Sequence, residues 1–281
     1  MIKTIGVVGA GTMGSGIAQV FAQAGFSVRL IDVAQPLLDS ARGAVEKSLA
    51  KFVDKGTLSA ADRDQALGRL QTATALDALA EADYFVEAIV EDVEAKRALF
   101  ARLDAIAKHD VVFASNTSSI SITVLGAASG RPDRVLGMHF MNPVPIMSLV
   151  ELVRGQATSD ASMQTALGLC AALGKTAVEA ADYPGFIANR VLMPMLNEAI
   201  YAVMEGVGTP DAIDTVMTLG MHHPMGPLAL ADFIGLDVCL AILNVLHEGF
   251  GDPKFRPCPL LRRMVAAGQL GRKSGRGFYT Y

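Results

Sequence analysis

A glycine triplet, a histidine that closes a strand and a glutamate set inside an apolar run are the features of this chain best suited to chemistry. Gly9-x-Gly11-x-x-Gly14 stands where the β-rich run Ile2–Val8 gives way to a helical pattern. The first glycine permits a tight turn, the second lets backbone approach a pyrophosphate, and the third lets helix and strand pack closely. The helix N-terminus adds N–H groups and a partial positive charge. Thr12 and Met13 lie inside this loop and join the three glycines as expected cofactor contacts. A second strand, "SVRLID", ends in Asp32, close to the spacing of ~20 residues expected after such a loop. A carboxylate there accepts hydrogen bonds from a ribose 2′-OH and repels a 2′-phosphate, so NAD is expected rather than NADP.

A bound nicotinamide needs a partner that moves a proton as hydride moves, and histidine suits the task with an ordinary pKa of about 6.5. Of the five histidines, His109 sits at a helix end, His247 lies in an amphipathic helix, and His222 and His223 precede Pro224 in a turn. His139 differs, because it ends the strand "RVLGMH", and ligands in open α/β sheets bind beyond the carboxyl ends of strands. Glu151 interrupts "SLVELV" on the same face as Leu149 and Val153. An acid on an apolar face needs a partner. Arg154 should point to the other face; an imidazole would satisfy the acid and be oriented by it, although a structural ion pair meets the same need.

Ser118 in "NTSSISI" reads by itself as a helix cap or turn residue, and so does Asn116. Asn189 shares a helical face with Phe186, Leu192, Met193 and Leu196, so its amide needs a polar partner from the core or from a substrate. Pro194 should kink that helix. Lys47, Lys51 and Lys55 recur every four residues as a basic stripe, which serves either as a solvated face or as a contact for phosphates such as those of coenzyme A.

The elements that must position these residues alternate over the first two thirds of the chain. Strands are expected at 2–8, 28–31, 84–88, 111–114, 135–139, 149–153 and 176–179, with helices at 14–24, 36–55, 93–107 and 161–173. Such alternation implies βαβ units and a mostly parallel, Rossmann-like sheet. After "DYPGFIANR" the pattern is helical only, with helices at 185–204, 210–219, 227–235, 236–249 and 260–267. The expected division is an α/β cofactor domain over 1–184 and an all-α domain over 185–281. Residues 56–80 carry no motif. The second domain is rich in methionine, read mostly as core.

The chain has 281 residues, 51% apolar and 19% charged, which argues against disorder and for one large domain or two. A net charge of −4 argues against a general nucleic-acid binder. Cys170, Cys239 and Cys258 show no metal-ligand spacing and read as thiols in a reducing cytoplasm. The glycine loop interrupts any signal-peptide core. No stretch reaches the ~20 apolar residues of a membrane span. The expectation is a soluble cytoplasmic protein that needs no metal.

In series and in order, "IGVVGAGTMGSGIAQVFA", "VEAIVEDVEAK", "FASNTSSISI", "GMHFMNPVPIMSLVELVRG", "PGFIANRVLMPMLNEAI", "HPMGPLALADFIGLD" and "GRKSGRGFY" resemble the short-chain L-3-hydroxyacyl-CoA dehydrogenases, most of all their bacterial 3-hydroxybutyryl-CoA branch. The resemblance covers nearly the whole chain. It implies that His139 is the catalytic base, Glu151 its orienting carboxylate, Ser118 a hydrogen-bond partner of the reacting 3-oxygen, and Asn189 a holder of the acyl group. It also implies cofactor contacts at Asp32, Glu91, Lys96, Asn116 and Lys273. Coenzyme A contacts are implied at Ser48 and Lys55, to which Lys51 is added. Met141 stands where many relatives have phenylalanine. The implied reaction is reversible NAD-dependent oxidation of (S)-3-hydroxybutyryl-CoA to acetoacetyl-CoA in a homodimer joined through the C-terminal domain. A sugar-acid dehydrogenase of the gulonate type and a non-catalytic NAD-binding protein like the lens crystallins are the competing readings.

Overall fold

The computed structural model describes residues 2–281. The chain divides into two compact units, Met1–Asp182 and Tyr183–Tyr281.

The first unit is an eight-stranded sheet flanked by helices. Its strands are β1 (Thr4–Val8), β2 (Ser27–Ile31), β3 (Leu70–Ala73), β4 (Tyr84–Glu87), β5 (Val112–Ser115), β6 (Val135–Phe140), β7 (Leu149–Arg154) and β8 (Thr176–Ala181). They lie in the order β3-β2-β1-β4-β5-β6-β7-β8. All neighbours are parallel except β6 and β7, which form the one antiparallel pair. Strands of a parallel sheet covered on both faces read as continuous apolar runs. Accordingly β4, β5 and β6 are buried along their whole length, whereas the edge strand β8 is mostly exposed.

The helices of this unit are α1 (Thr12–Gln23), α2 (Gln35–Asp54), α3 (Ala60–Arg69), α4 (Val93–Ile106), α5 (Ile122–Ala128) and α6 (Asp160–Ala172). Side-chain caps start several of them: Asp92 accepts from Ala95 N–H at 2.8 Å and so fixes where α4 begins. The core joins Ile5, Val7, Ile17, Phe21, Leu38, Leu49, Tyr84 and Phe140. The elements α3 and β3 fall within the motif-free residues 56–80. The strand "LQTA" has no alternation to reveal it, because a single short edge pairing with β2 stabilises it.

The second unit is helical: α7 (Ala188–Met204), α8 (Pro210–Thr215), α9 (Pro227–Ile234), α10 (Leu236–Phe250) and α11 (Pro259–Ala266). Pro194 lies inside α7, which runs on through it to Met204. After α8 the chain widens into a π-type turn at Val216–Gly220, where the sequence predicted an unbroken helix. A separate core forms around Met193, Leu196, Leu228, Leu243 and Leu261. No single helix among the described residues is long and apolar enough to cross a membrane.

Candidate active site

One end of the sheet collects the sequence features singled out above within the first unit. The glycine loop follows β1, Glu87 ends β4, Asn116 follows β5, and His139 is the penultimate residue of β6. Asn116 Oδ1 accepts the Phe140 N–H at 2.9 Å, which ties the loop after β5 to the end of the strand that carries the histidine.

The glycine loop fits a dinucleotide. Gly9 has φ +103°, and a Cβ there would lie 2.4 Å from the Ala88 carbonyl oxygen. A Cβ at Gly14 would come within 1.7 Å of the Gly9 carbonyl oxygen. At Gly11 nothing lies within 4 Å of the Cβ position, so a side chain there would stand in open space at the head of α1. That helix starts with no side-chain cap and no acid in its first turn, which leaves its positive end to an anion. Asp32 accepts the Ala10 and Val33 N–H groups, each at 2.7 Å, and so fixes the turn. A carboxylate has about four lone-pair sites, enough to accept a ribose hydroxyl as well. Beside it lies a cavity of about 230 Å³ lined by Gly9, Ile31, Asp32, Val33, Leu99 and Arg102.

Glu91 and Lys96 occupy the neighbouring crossover. Glu91 accepts from the hydroxyls of Thr117 and Ser119 and, at 3.1 Å, from the Ser118 N–H. Burial pushes its carboxyl up, but the Lys96 ammonium and these donors outweigh burial and hold it below the ordinary glutamate range. Lys96 is only 1% exposed, and its ammonium lies 2.6 Å from Glu87 and 3.2 Å from Glu91. The family resemblance implies a cofactor contact at Lys96, whose ammonium lies between two carboxylates. Glu87 was not singled out in the sequence, although an acid inside the apolar run "YFVEAIV" carries the same signal that pointed to Glu151.

His139 and Glu151 are directly opposite each other across the antiparallel β6–β7 ladder. Opposed residues share a face at close range. His139 Nδ1 lies 2.8 Å from Glu151 Oε2, with the histidine side chain 11% and the glutamate 2% exposed. A carboxylate accepts only, so it assigns the Nδ1 proton and leaves exchange with a substrate to Nε2. Arg154 points elsewhere, to Glu179 at 2.6 Å and Asp160 at 2.9 Å.

Ser48, Lys51 and Lys55 line a groove of about 490 Å³ together with Lys47, Phe52, Pro143 and Ile146. Its far wall is pinned by Lys175, whose ammonium donates to the Val144 carbonyl at 2.8 Å and the Met147 carbonyl at 2.6 Å. Burial pushes the Lys175 amine down. Nothing in the sequence flagged Lys175, because its targets are backbone atoms roughly thirty positions away.

The second unit holds the remaining residues. Asn189 is buried in the first turn of α7. Lys273 donates to Asp237 at 2.6 Å.

Comparison with known proteins agrees along the full chain. Residues 4–183 match the family described as 3-hydroxyacyl-CoA dehydrogenase, NAD binding domain, and residues 185–281 match its C-terminal domain. A probable 3-hydroxybutyryl-CoA dehydrogenase of Deinococcus radiodurans is 58% identical, covering 98% of this chain and 99% of that protein. The 3-hydroxybutyryl-CoA dehydrogenase of Bradyrhizobium diazoefficiens is 54% identical, over 100% of this chain and 96% of its own. The crystal structure of (S)-3-hydroxybutyryl-CoA dehydrogenase PaaH1 from Ralstonia eutropha superposes with a TM-score of 0.98 at 48% identity, covering 100% of this chain and 99% of that one.

Proposed function

We propose a division of labour among named residues for a chain that belongs to the 3-hydroxyacyl-CoA dehydrogenase family. The enzyme is an NAD-dependent oxidoreductase that interconverts (S)-3-hydroxybutyryl-CoA and acetoacetyl-CoA. When bound, NAD supplies the hydride acceptor and, reduced, the hydride donor. His139 Nε2 takes the 3-hydroxyl proton in oxidation and returns it in reduction. Glu151 holds the ring by Nδ1 and stabilises the imidazolium that forms, as the buried acid of a hydrolase triad does. Ser118 donates to the 3-oxygen. Gly9, Gly11, Thr12, Met13 and Gly14 receive the pyrophosphate, Asp32 the adenosine ribose, and Asn116 and Glu91 the nicotinamide end.

The groove on α2 receives coenzyme A, with Ser48, Lys51 and Lys55 toward its phosphates. Its shape and the four-residue spacing of the exposed lysines support this. The roles of Asn189 at the acyl group and Lys273 at the cofactor rest on the family resemblance, as does the assignment of residues 1–184 to cofactor and 185–281 to substrate. Pairing of two copies through the second domain belongs to the same proposal, supported by the exposed apolar side chains of Val207, Leu219 and Met221. A cytoplasmic site of action is also part of it.

The observation that carries the mechanism is the 2.8 Å contact between His139 Nδ1 and Glu151. In His139→Gln, NADH binding followed by fluorescence should be unchanged while turnover of acetoacetyl-CoA falls by about 10²–10⁴-fold, the usual contribution of a positioned acid–base group. Turnover near the wild-type rate in that variant would overturn the assignment.

A further inference from the structure

The carboxylate of Glu87, at the end of β4, is 1% exposed and fully engaged. It accepts from Lys96 Nζ at 2.6 Å, Ser115 Oγ at 2.5 Å and the Ile89 N–H at 2.7 Å. Lys96, in the first turn of α4, extends the chain of contacts to Glu91 at 3.2 Å. Glu91 Oε1 then gathers the loop after β5: the Thr117 hydroxyl, the Ser119 hydroxyl at 2.9 Å and the Ser118 N–H at 3.1 Å. Thr117 Oγ1 closes the same loop by accepting from the Ile120 N–H at 2.9 Å. One ammonium therefore stands between two carboxylates, one rooted in the sheet and the other holding the loop that bears Ser118.

We infer that Glu87 is a positioning residue, which sets the place of Ser118 through Lys96 and Glu91. The inference rests on the reading that Ser118 meets the reacting oxygen. Its physical basis is the sharing of one buried cation. While Glu87 is charged, it holds Lys96 against the sheet, and Glu91 remains extended toward the loop. With that charge removed, as in Glu87→Gln, Lys96 has Glu91 as its single counter-charge, and attraction to the buried ammonium draws that carboxylate inward. The hydrogen bonds to Thr117, Ser118 and Ser119 then loosen together, and the serine moves off the line it shares with the substrate oxygen.

The test is a double-mutant cycle on kcat for acetoacetyl-CoA with NADH, comparing wild type, Glu87→Gln, Ser118→Ala and the double variant. Glu87→Gln should lower kcat by about 10–100-fold, the scale of a misplacement of roughly 1 Å. The double variant should match Ser118→Ala within about twofold, because a residue acting through Ser118 has nothing left to act on once the hydroxyl is gone. Losses that multiply in the double variant would overturn the inference, as would wild-type kcat in Glu87→Gln. Wild-type kcat in Ser118→Ala would overturn the reading of Ser118 and the inference with it, a result distinct from either. If Glu87→Gln does not fold, Ser115→Ala carries the same cycle. It removes the hydrogen bond that anchors the Glu87 carboxylate to β5, so the hold of Glu87 on Lys96 weakens, and a loss of about threefold that vanishes in the Ser118→Ala background is then expected.

Discussion

Two buried pairs of acid and base lie in the first unit, and the proposed mechanism gives them opposite tasks. Glu87 and Lys96 are each 1% exposed, 2.6 Å apart, and Glu87 has two further donors. Glu151 is as deeply buried, but its partner His139 keeps 11% of its side chain accessible. Lysine offers three donors and no acceptor, so between Glu87 and Glu91 its ammonium serves as a strut. Imidazole has two distinct ring nitrogens, so while the carboxylate holds Nδ1 the proposed mechanism leaves Nε2 to the substrate, and the remaining opening gives access. A buried carboxylate can thus serve as structure or as chemistry, according to the donor geometry and accessibility of its partner.

The largest effect expected from breaking this contrast comes from Glu151→Gln. The amide can still hydrogen-bond to Nδ1 but cannot stabilise an imidazolium, and it no longer dictates the tautomer. A fall in kcat of about 10²–10⁴-fold is expected with little change in the KM for NADH, and steady-state kinetics checks it. A loss under about threefold would place Glu151 with Glu87 among the struts. Next in size is the converse comparison, in stability. Glu87→Ala leaves an ammonium buried and should cost about 3–5 kcal/mol, the range for breaking a buried ion pair from one side. Glu151→Ala leaves a partly accessible imidazole rather than an enclosed ammonium, so its denaturant midpoint should move clearly less. Equal shifts in the two variants would remove the distinction drawn above.

How far the sequence revealed these features depended on how local each signal was. The glycine loop announces itself because Gly9 and Gly14 must lack a Cβ within six residues of one another. Glu151 was visible through alternation in β7, and the register that places it opposite His139 agrees with the antiparallel return of the chain. Glu87 carried the same kind of signal at the end of a strand only four residues long, where alternation has no length to show itself. The strut from Lys96 to Glu91 and the grip of Lys175 on the Val144 and Met147 carbonyls depend on tertiary placement. So does the pairing of β3, a four-residue strand held by its one neighbour. Burial also bears on Lys96: the family resemblance implies a cofactor contact there, and in the fold its ammonium is enclosed between two carboxylates.

The smallest effect expected falls on Glu91, which belongs to the strut but lies partly open to solvent. Burial raises its carboxyl, and Lys96 with the Thr117, Ser119 and Ser118 donors more than reverses that, so the folded protein binds its proton less readily than the unfolded chain. The sign follows from linkage: stability contributed by a depressed carboxyl is complete above the unfolded value, about 4.3 for glutamate, and is lost as pH falls through the lower folded value. Wild type should therefore lose thermal stability below about pH 4.3 more steeply than Glu91→Gln, whose amide has no proton to gain. Near neutral pH the two should differ by a constant offset. Parallel acid limbs, measured as Tm against pH in matched ionic strength, would show that the loop bearing Ser118 is held without help from the Glu91 charge, and the strut would then end at Lys96.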